Sequence, residues 1–279
     1  MEIIGHLYAA EMSGIHAAHE LYGEELIETM MPNILHCHDW AYRACWQPER
    51  APPRLRATVR RLRSHIVADW LIHYGDRTTT EKRKCGWAYR RMRTASALAP
   101  RFFADAAARD LLRSDALLPA RWDKKQRLDF NHSILEYALD LLWGDALLDR
   151  ARTRDLCRAL ARLADRDVRR GYLALYAGLG AWSERPIAYR ERSIDSIVDD
   201  AYRARHASDF AVRTTARKYG LKTDPAALTH VRGLLEAVAA AIDRADADAL
   251  LARTAAAIAD PDSLYTAPLA PSPPQSPAP

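Results

Sequence analysis

Apolar residues in this chain recur three and four positions apart, and the strict alternation that marks a half-buried strand is hard to find. With 11 glycines in 279 residues, and prolines gathered chiefly at 48–53 and in the tail, long helices meet few interruptions. The pattern predicts helices over 6–30, 33–46, 55–74, 81–95, 102–113, 129–143, 150–180, 190–219 and 225–258. The segment 55–74 is the clearest, because it follows the breaker "PERAPP" (48–53) and becomes steadily apolar toward its end. For 129–143, Asp129 or Asn131 is the expected N-cap. The fold class expected is all-α, a single multi-helix bundle over 1–262. After it, residues 263–279 form a proline-rich tail, "TAPLAPSPPQSPAP" at its end, whose composition predicts disorder.

Composition narrows the function classes. No run approaches the ~18 apolar residues of a membrane span, and the start "MEIIGHLYAAEMSG" lacks the basic, apolar and small-residue blocks of a secretory signal. A cytoplasmic location is expected. Cys37, Cys45, Cys85 and Cys157 form no C-x-x-C pair, so free thiols are expected rather than a zinc finger. A net charge of +5 suits a small anionic partner, and no nucleic-acid recognition motif is visible. The alanine-rich last helix carries no shared metal-type face and reads as a packing element or a homodimer contact.

The chemistry-bearing residues are unevenly spread. Eight of the 10 histidines precede residue 133: His6, His16, His19, His36, His38, His65, His73 and His132. "SHIVADWLIHYGD" (64–76) sets His65, Asp69 and His73 four apart along an apolar helix. Residues at that spacing share one face, and imidazole with carboxylate is a ligand set for zinc and other first-row divalent ions. A buried Asp69 needs a metal, an arginine or a histidine beside it. "NHSILEYALD" repeats the arrangement with His132, Glu136 and Asp140. Two such stripes on apolar helices point to a metal centre more strongly than to two isolated buried ion pairs. "HCHDW" adds His36, His38 and Asp39, with Asp39 the foremost ligand there and at most one of the two histidines joining it. Near the N-terminus, His6 sits in an apolar segment, while His16 with Glu20 is equally a chelating or a solvated pair.

The order His6, Asp39, "HIVADWLIH" (65–73) and "HSILE" (132–136) resembles the zinc-dependent phospholipase C family and the related helical single-strand nucleases. The resemblance covers residues 1 to about 145. It implies a cluster of two or three divalent ions, zinc foremost and iron or manganese as alternatives, and water activated by them attacking a phosphate ester or diester. Carried over by position, the ligands would be His6, His38, Asp39, His65, Asp69, His73, His132 and Glu136. Asp69 would bridge ions, and Asp39 or Asp69 would orient the water or act as base. The chain departs from the family in having no histidine between Asp39 and His65, which favours two ions over three. Arginines of "RRLR" (60–63) or "YRRMR" (89–93) are candidates to hold the phosphate, and Tyr172, Tyr176, Trp182, Tyr189 and Arg190 to line a cavity.

Three other readings compete. An HD-type phosphohydrolase would use His16 or His19, the His38–Asp39 dyad and Asp69 or Asp140, but leaves His132 and Glu136 unexplained. A di-iron oxygenase-like bundle would use the same ligand types, although Glu-x-x-His pairs are absent from the sequence. A helical scaffold would keep its histidines as satisfied core residues.

Overall fold

Several helices in this protein start where a side chain accepts the free N–H groups of a first turn. Asp123 and Gln126 do so reciprocally: Gln126 N donates to Asp123 Oδ1 at 2.7 Å and Asp123 N to Gln126 Oε1 at 2.9 Å. This capping box opens the central helix at Lys124, so Asp129 and Asn131 lie inside it and are not its N-caps. Asp165 accepts from Asp167 N and Val168 N, Asp224 from Ala227 N, and Asp243 from Ala245 N. Asp165 and Asp243 are the reason the predicted helices 150–180 and 225–258 are each two helices. Asp209 Oδ2, accepting from His206 N at 3.1 Å, similarly divides 190–219. In the opposite direction, 81–95 and 102–113 merge into Trp87–Ala108, which runs through Pro100. Pro100 is on the exposed side, and burial of Ala95, Ala99, Phe102, Phe103 and Ala106 holds the opposite face in place.

The computed structural model describes residues 2–15, 25–35, 48–75, 86–113, 122–147, 150–182 and 191–260. Among them the fold is all-α, with no strand, and a single antiparallel bridge pairs Leu112 with Leu221. The helices are α1 (Ile3–Met12), α2 (Glu25–Leu35), α3 (Arg56–His73), α4 (Trp87–Ala108), α5 (Lys124–Leu147) and α6 (Arg150–Ala161). They continue as α7 (Arg166–Trp182), α8 (Glu191–Arg203), α9 (Ala207–Lys218), α10 (Pro225–Ala240) and α11 (Arg244–Ala259). None of them is long and apolar enough to cross a membrane. The tail 263–279 and three of the cysteines lie outside the described residues, and Cys157 is a free thiol.

Two apolar cores share three helices, α1, α3 and α9, the last giving Val212 and Ala216 to one core and Ala207, Phe210 and Ala211 to the other. One core gathers α4, α5, α10 and α11, with Phe103, Phe130, Leu135, Trp143 and Leu235 at its centre. The other gathers α2, α6, α7 and α8, with Met30, Leu160, Tyr176 and Leu179. Helix α3 gives Val67, Ala68, Leu71 and Ile72 to the first core and Val59, Leu62 and Ile66 to the second. Helix α1 gives Ala9 to the first and Ile3, Ile4, Leu7 and Ala10 to the second. The alanine-rich α11 packs against α1 and α3 of the same chain, and its first turn is fastened by Trp87 Nε1 to Asp246 (2.7 Å) and Trp143 Nε1 to Asp248 (3.2 Å).

Asp140 fixes where α1 begins. Its two carboxylate oxygens accept from Ile4 N and Gly5 N, both at 2.9 Å, from one turn of α5 beyond Glu136. A carboxylate at a helix N-terminus satisfies otherwise orphaned donors and complements the helix dipole. Burial nevertheless outweighs those two hydrogen bonds and raises its pKa from 3.8 to about 7. A raised folded-state pKa means that the folded chain holds the extra proton between those two values. The stabilisation tied to the protonated carboxyl is thus full below about pH 4 and is lost as pH rises through about 7. Asp140→Asn cannot ionise, so wild type should lose stability relative to this variant by on the order of 2 kcal/mol between pH 5 and pH 8. Urea denaturation of both proteins at the two pH values measures this, and an equal difference at both would refute it.

Candidate metal centre

Along an α-helix each step of four residues advances about 6 Å and turns about 40°. His65, Asp69 and His73 therefore form a slanted stripe, and the slant decides their partners. His65 and Asp69 look toward α1, whereas His73, at the last turn of α3, looks toward α5. The helix stops there because Gly75 takes a left-handed conformation (φ +83) and its N–H returns to Trp70 O at 3.2 Å. The result is two separate groups of three metal-type residues, His6–His65–Asp69 and His73–His132–Glu136. Within each, the donor atoms lie within 4.8 Å of one another. Either group can hold a metal ion.

The first group is enclosed. His6, His65 and Asp69 are only 1, 1 and 3% exposed. Asp69 Oδ1 lies 3.1 Å from His6 Nε2 and Oδ2 lies 3.5 Å from His65 Nε2. The two imidazoles stack, with centroids 4.0 Å apart and planes 11° from parallel. Donors around a tetrahedral ion at zinc distances stand about 3.3 Å apart, so both nitrogen–oxygen separations already suit one. Among the described residues neither ring nitrogen of His6 makes an aligned hydrogen bond, although Nε2 is close to Asp69 Oδ1. An imidazole buried in that way is costly unless something else satisfies it. Burial, and the nearness of His65, lower the His6 pKa to about 3, against the pull of Asp69. His6 is thus neutral at ordinary pH, the form that can donate a lone pair to a metal.

The second group is open on one side. His73 Nε2 is 2.7 Å from Glu136 Oε1, and the His73 side chain retains 18% exposure while Glu136 retains 5%. His132 Nδ1 lies 2.8 Å from Leu128 O. A carbonyl only accepts, so Nδ1 carries the hydrogen and Nε2 is left with its lone pair, the arrangement that presets a metal-ligating histidine. The ring of Tyr89 stacks on His132 at 4.8 Å and 17°, and His73 meets His132 edge-on at 5.4 Å. Burial and His73 lower the His132 pKa against the pull of Glu136. For Glu136 itself, burial pushes upward, but nearby positive charge, His73 and His132 among its sources, wins and holds the carboxyl well below the usual range.

Six of the residues anticipated as ligands thus fall into two groups that share no member. Both Asp69 oxygens are turned toward His6 and His65. His38 and Asp39, with His16, His19, Glu20 and His36, lie outside the described residues, as do Tyr189 and Arg190. Asp140 departs from the stripe of His132 and Glu136, because two steps of four rotate it about 80° away, and it caps α1 instead. Two of the candidate arginines have structural partners: Arg61 bonds Glu28 at 2.7 Å and Glu25 at 3.2 Å, and Arg91 pairs with Asp246 and stacks on Trp87. Tyr176 is a residue of the second apolar core. It is fully buried, with its hydroxyl donating to Glu28 O at 3.2 Å.

Sequence reasoning missed the groups that position the second site. Tyr89 sits one residue inside the basic run "YRRMR", where charge hides it, and Leu128 acts only through its backbone. Gly86 carries a clearer signal. It directly precedes α4, its N–H donates to His73 O at 2.8 Å, and a Cβ there would stand 2.3 Å from Ile72 O. Only glycine lets α4 approach the end of α3 so closely. Gly86→Ala should destabilise the protein by about 1–3 kcal/mol through forced backbone movement. Gly178→Ala, in α7 with nothing within 4 Å, should be neutral or stabilising by up to about 1 kcal/mol. Thermal denaturation of the two variants tests the contrast, and equal melting temperatures would refute the close-approach account.

No protein-family model, curated protein or solved structure matches the chain. Its functional reading rests on the residues and geometry above.

Proposed function

We propose that the chain is a metal-dependent hydrolase of a phosphate ester or phosphodiester. In this reading the reaction occurs at His73, His132 and Glu136, and His6, His65 and Asp69 hold a further ion. The observation that carries it is the contrast between an enclosed and an accessible three-donor group, one helical turn apart on α3. Structural metal sites are closed, whereas catalytic ones keep a position free for water or substrate. Three protein ligands, two imidazoles and a carboxylate, leave such a position at the second group. A divalent ion there supplies Lewis acidity and brings the pKa of a water it holds toward neutrality. Glu136, ionised throughout the neutral range, contributes the negative charge that favours a cation, and Leu128 O keeps the His132 lone pair turned inward. The order of the ligands in the sequence is what supports phosphate-ester chemistry, and the positive net charge accords with an anionic substrate.

A second reading has a specific observation behind it. Two histidines and one carboxylate also suit non-haem iron that activates dioxygen, so the metal itself discriminates. Protein purified without chelators should contain up to two equivalents of zinc or manganese by mass spectrometry, and should hydrolyse bis-p-nitrophenyl phosphate. Glu136→Ala should reduce that activity by more than about 100-fold, since even outer-shell partners of a ligand are worth 10–100-fold. Iron with oxygen-dependent turnover would favour the oxygenase reading. Protein that folds normally, carries no metal and takes none up would overturn both.

A further inference from the structure

We infer that Lys218 is the side chain that grips the phosphoryl group of the substrate, and that the cleft beside it seats the group esterified to that phosphate. The inference rests on the hydrolytic reading of the His73–His132–Glu136 group.

A cleft of about 960 Å³ opens where the start of α1 meets α5, α8 and α9, with Asp129, Tyr137, Asp200, Arg217 and Lys218 in its walls. None of the six metal-type residues lines it, yet two residues of α5 connect it to the second group. Asp129 Oδ1 lies 3.9 Å from His132 Nε2. Ser133 Oγ lies 3.4 Å from the same nitrogen and 3.1 Å from Lys218 Nζ. One serine hydroxyl therefore separates the ammonium from the nitrogen that would bind the ion. A phosphoryl group bridges such a gap, with one oxygen toward the ion and another toward Lys218 and Ser133.

Lys218 is also the cation best placed to change partners. Arg61 and Arg91 are engaged with acids on other helices, and Arg217 reaches Asp199 at 2.6 Å and Asp200 at 2.7 and 3.1 Å. Among the described residues Lys218 instead has one carboxylate contact, Glu2 Oε1 at 3.3 Å, and its Nζ stands 5.2 Å from the centre of the Tyr137 ring. An ammonium offers three N–H groups, and Glu2 keeps Asn33 Nδ2 as a donor at 3.2 Å if an incoming phosphate takes its place. Burial works against the charge, but Tyr137 and Glu2 outweigh it and keep Lys218 protonated at neutral pH. Asp129, 61% exposed, faces the same gap and sets the limit on how much negative charge it accepts.

The test is titration of inorganic phosphate into the full-length, metal-loaded protein, with hydrolysis kinetics run alongside. Lys218→Gln should weaken phosphate binding and raise KM by about 10–100-fold, the worth of one charge-assisted hydrogen bond. Metal content should stay at the wild-type level and kcat should change far less than KM. Lys218→Arg should recover most of the affinity. Lys222→Gln is the charge control, because Lys222 pairs with Asp110 away from the site, and it should match wild type. In the wild-type protein, phosphate should shield Lys218 but not Lys222 from acetylation. Unchanged phosphate affinity in Lys218→Gln with metal retained would overturn the inference, as would unshielded labelling of Lys218. A wild-type protein that holds its ions but binds no phosphate overturns the inference alone. A wild-type protein that binds no ion overturns the hydrolase reading with it.

Discussion

Placing two imidazoles and a carboxylate between two apolar cores creates an electrostatic demand to which the surrounding helices are fitted. Desolvation keeps His6 neutral, its nitrogens make no aligned hydrogen bond among the described residues, and a carboxylate buried alone in such a seam would not stay ionised. The stacked rings of His6 and His65 bracket Asp69 from two helices, so α1 and α3 cannot slide past one another without separating charge from its partners. Both cores converge on those same two helices. The polar group is therefore held from either side by packing that tolerates little movement.

Helix α5 serves the arrangement in a different way. Its successive turns present Glu136 to His73, Ser133 to Lys218, and Asp140 to the first turn of α1. One rigid rod thereby sets the position of the open group, of the cleft beside it, and of the helix that delivers His6 to the enclosed group. Because a helix advances a fixed distance per residue, these spacings follow from register alone. Loops joining the helices need contribute little to the relative placement of the six residues.

The all-α class and the ligand stripes were legible because periodicity and residue type are local properties. His65, Asp69, His73, His132 and Glu136 could be named from spacing, whereas the apolar segment around His6 indicated only its burial and its candidacy as a ligand came from the resemblance. Their grouping could not, since it depends on which helix packs against which. The 40° slant per step, invisible when a stripe is read as a line, sends His73 to Glu136 rather than to Asp69. The same slant carries Asp140 away from His132, so a residue with the spacing of a ligand became a helix cap. Helix boundaries failed for a related reason. Asp165 and Asp243 are efficient caps that a continuous apolar pattern obscures, while Pro100 looks like a breaker but is tolerated on an exposed face.

The two groups differ less in ligand type than in what surrounds them, and that difference accounts for their separate characters. Each offers two histidines and one carboxylate. The enclosed group has the Asp69 oxygens facing the Nε2 atoms of two imidazoles stacked on each other, and all three residues are almost fully buried, so an ion there would meet chiefly protein donors. In the open group, His73 reaches partial exposure, Glu136 stays ionised, and Tyr89 covers only one face of His132. The partial exposure of His73 is what gives water access to this group. Gly86 contributes to this arrangement: by letting α4 press against the last carbonyls of α3, it allows Tyr89, three residues further on, to stack over His132. A single missing Cβ thus decides how closely two helices meet, and the closeness of that meeting shapes the more exposed of the two groups.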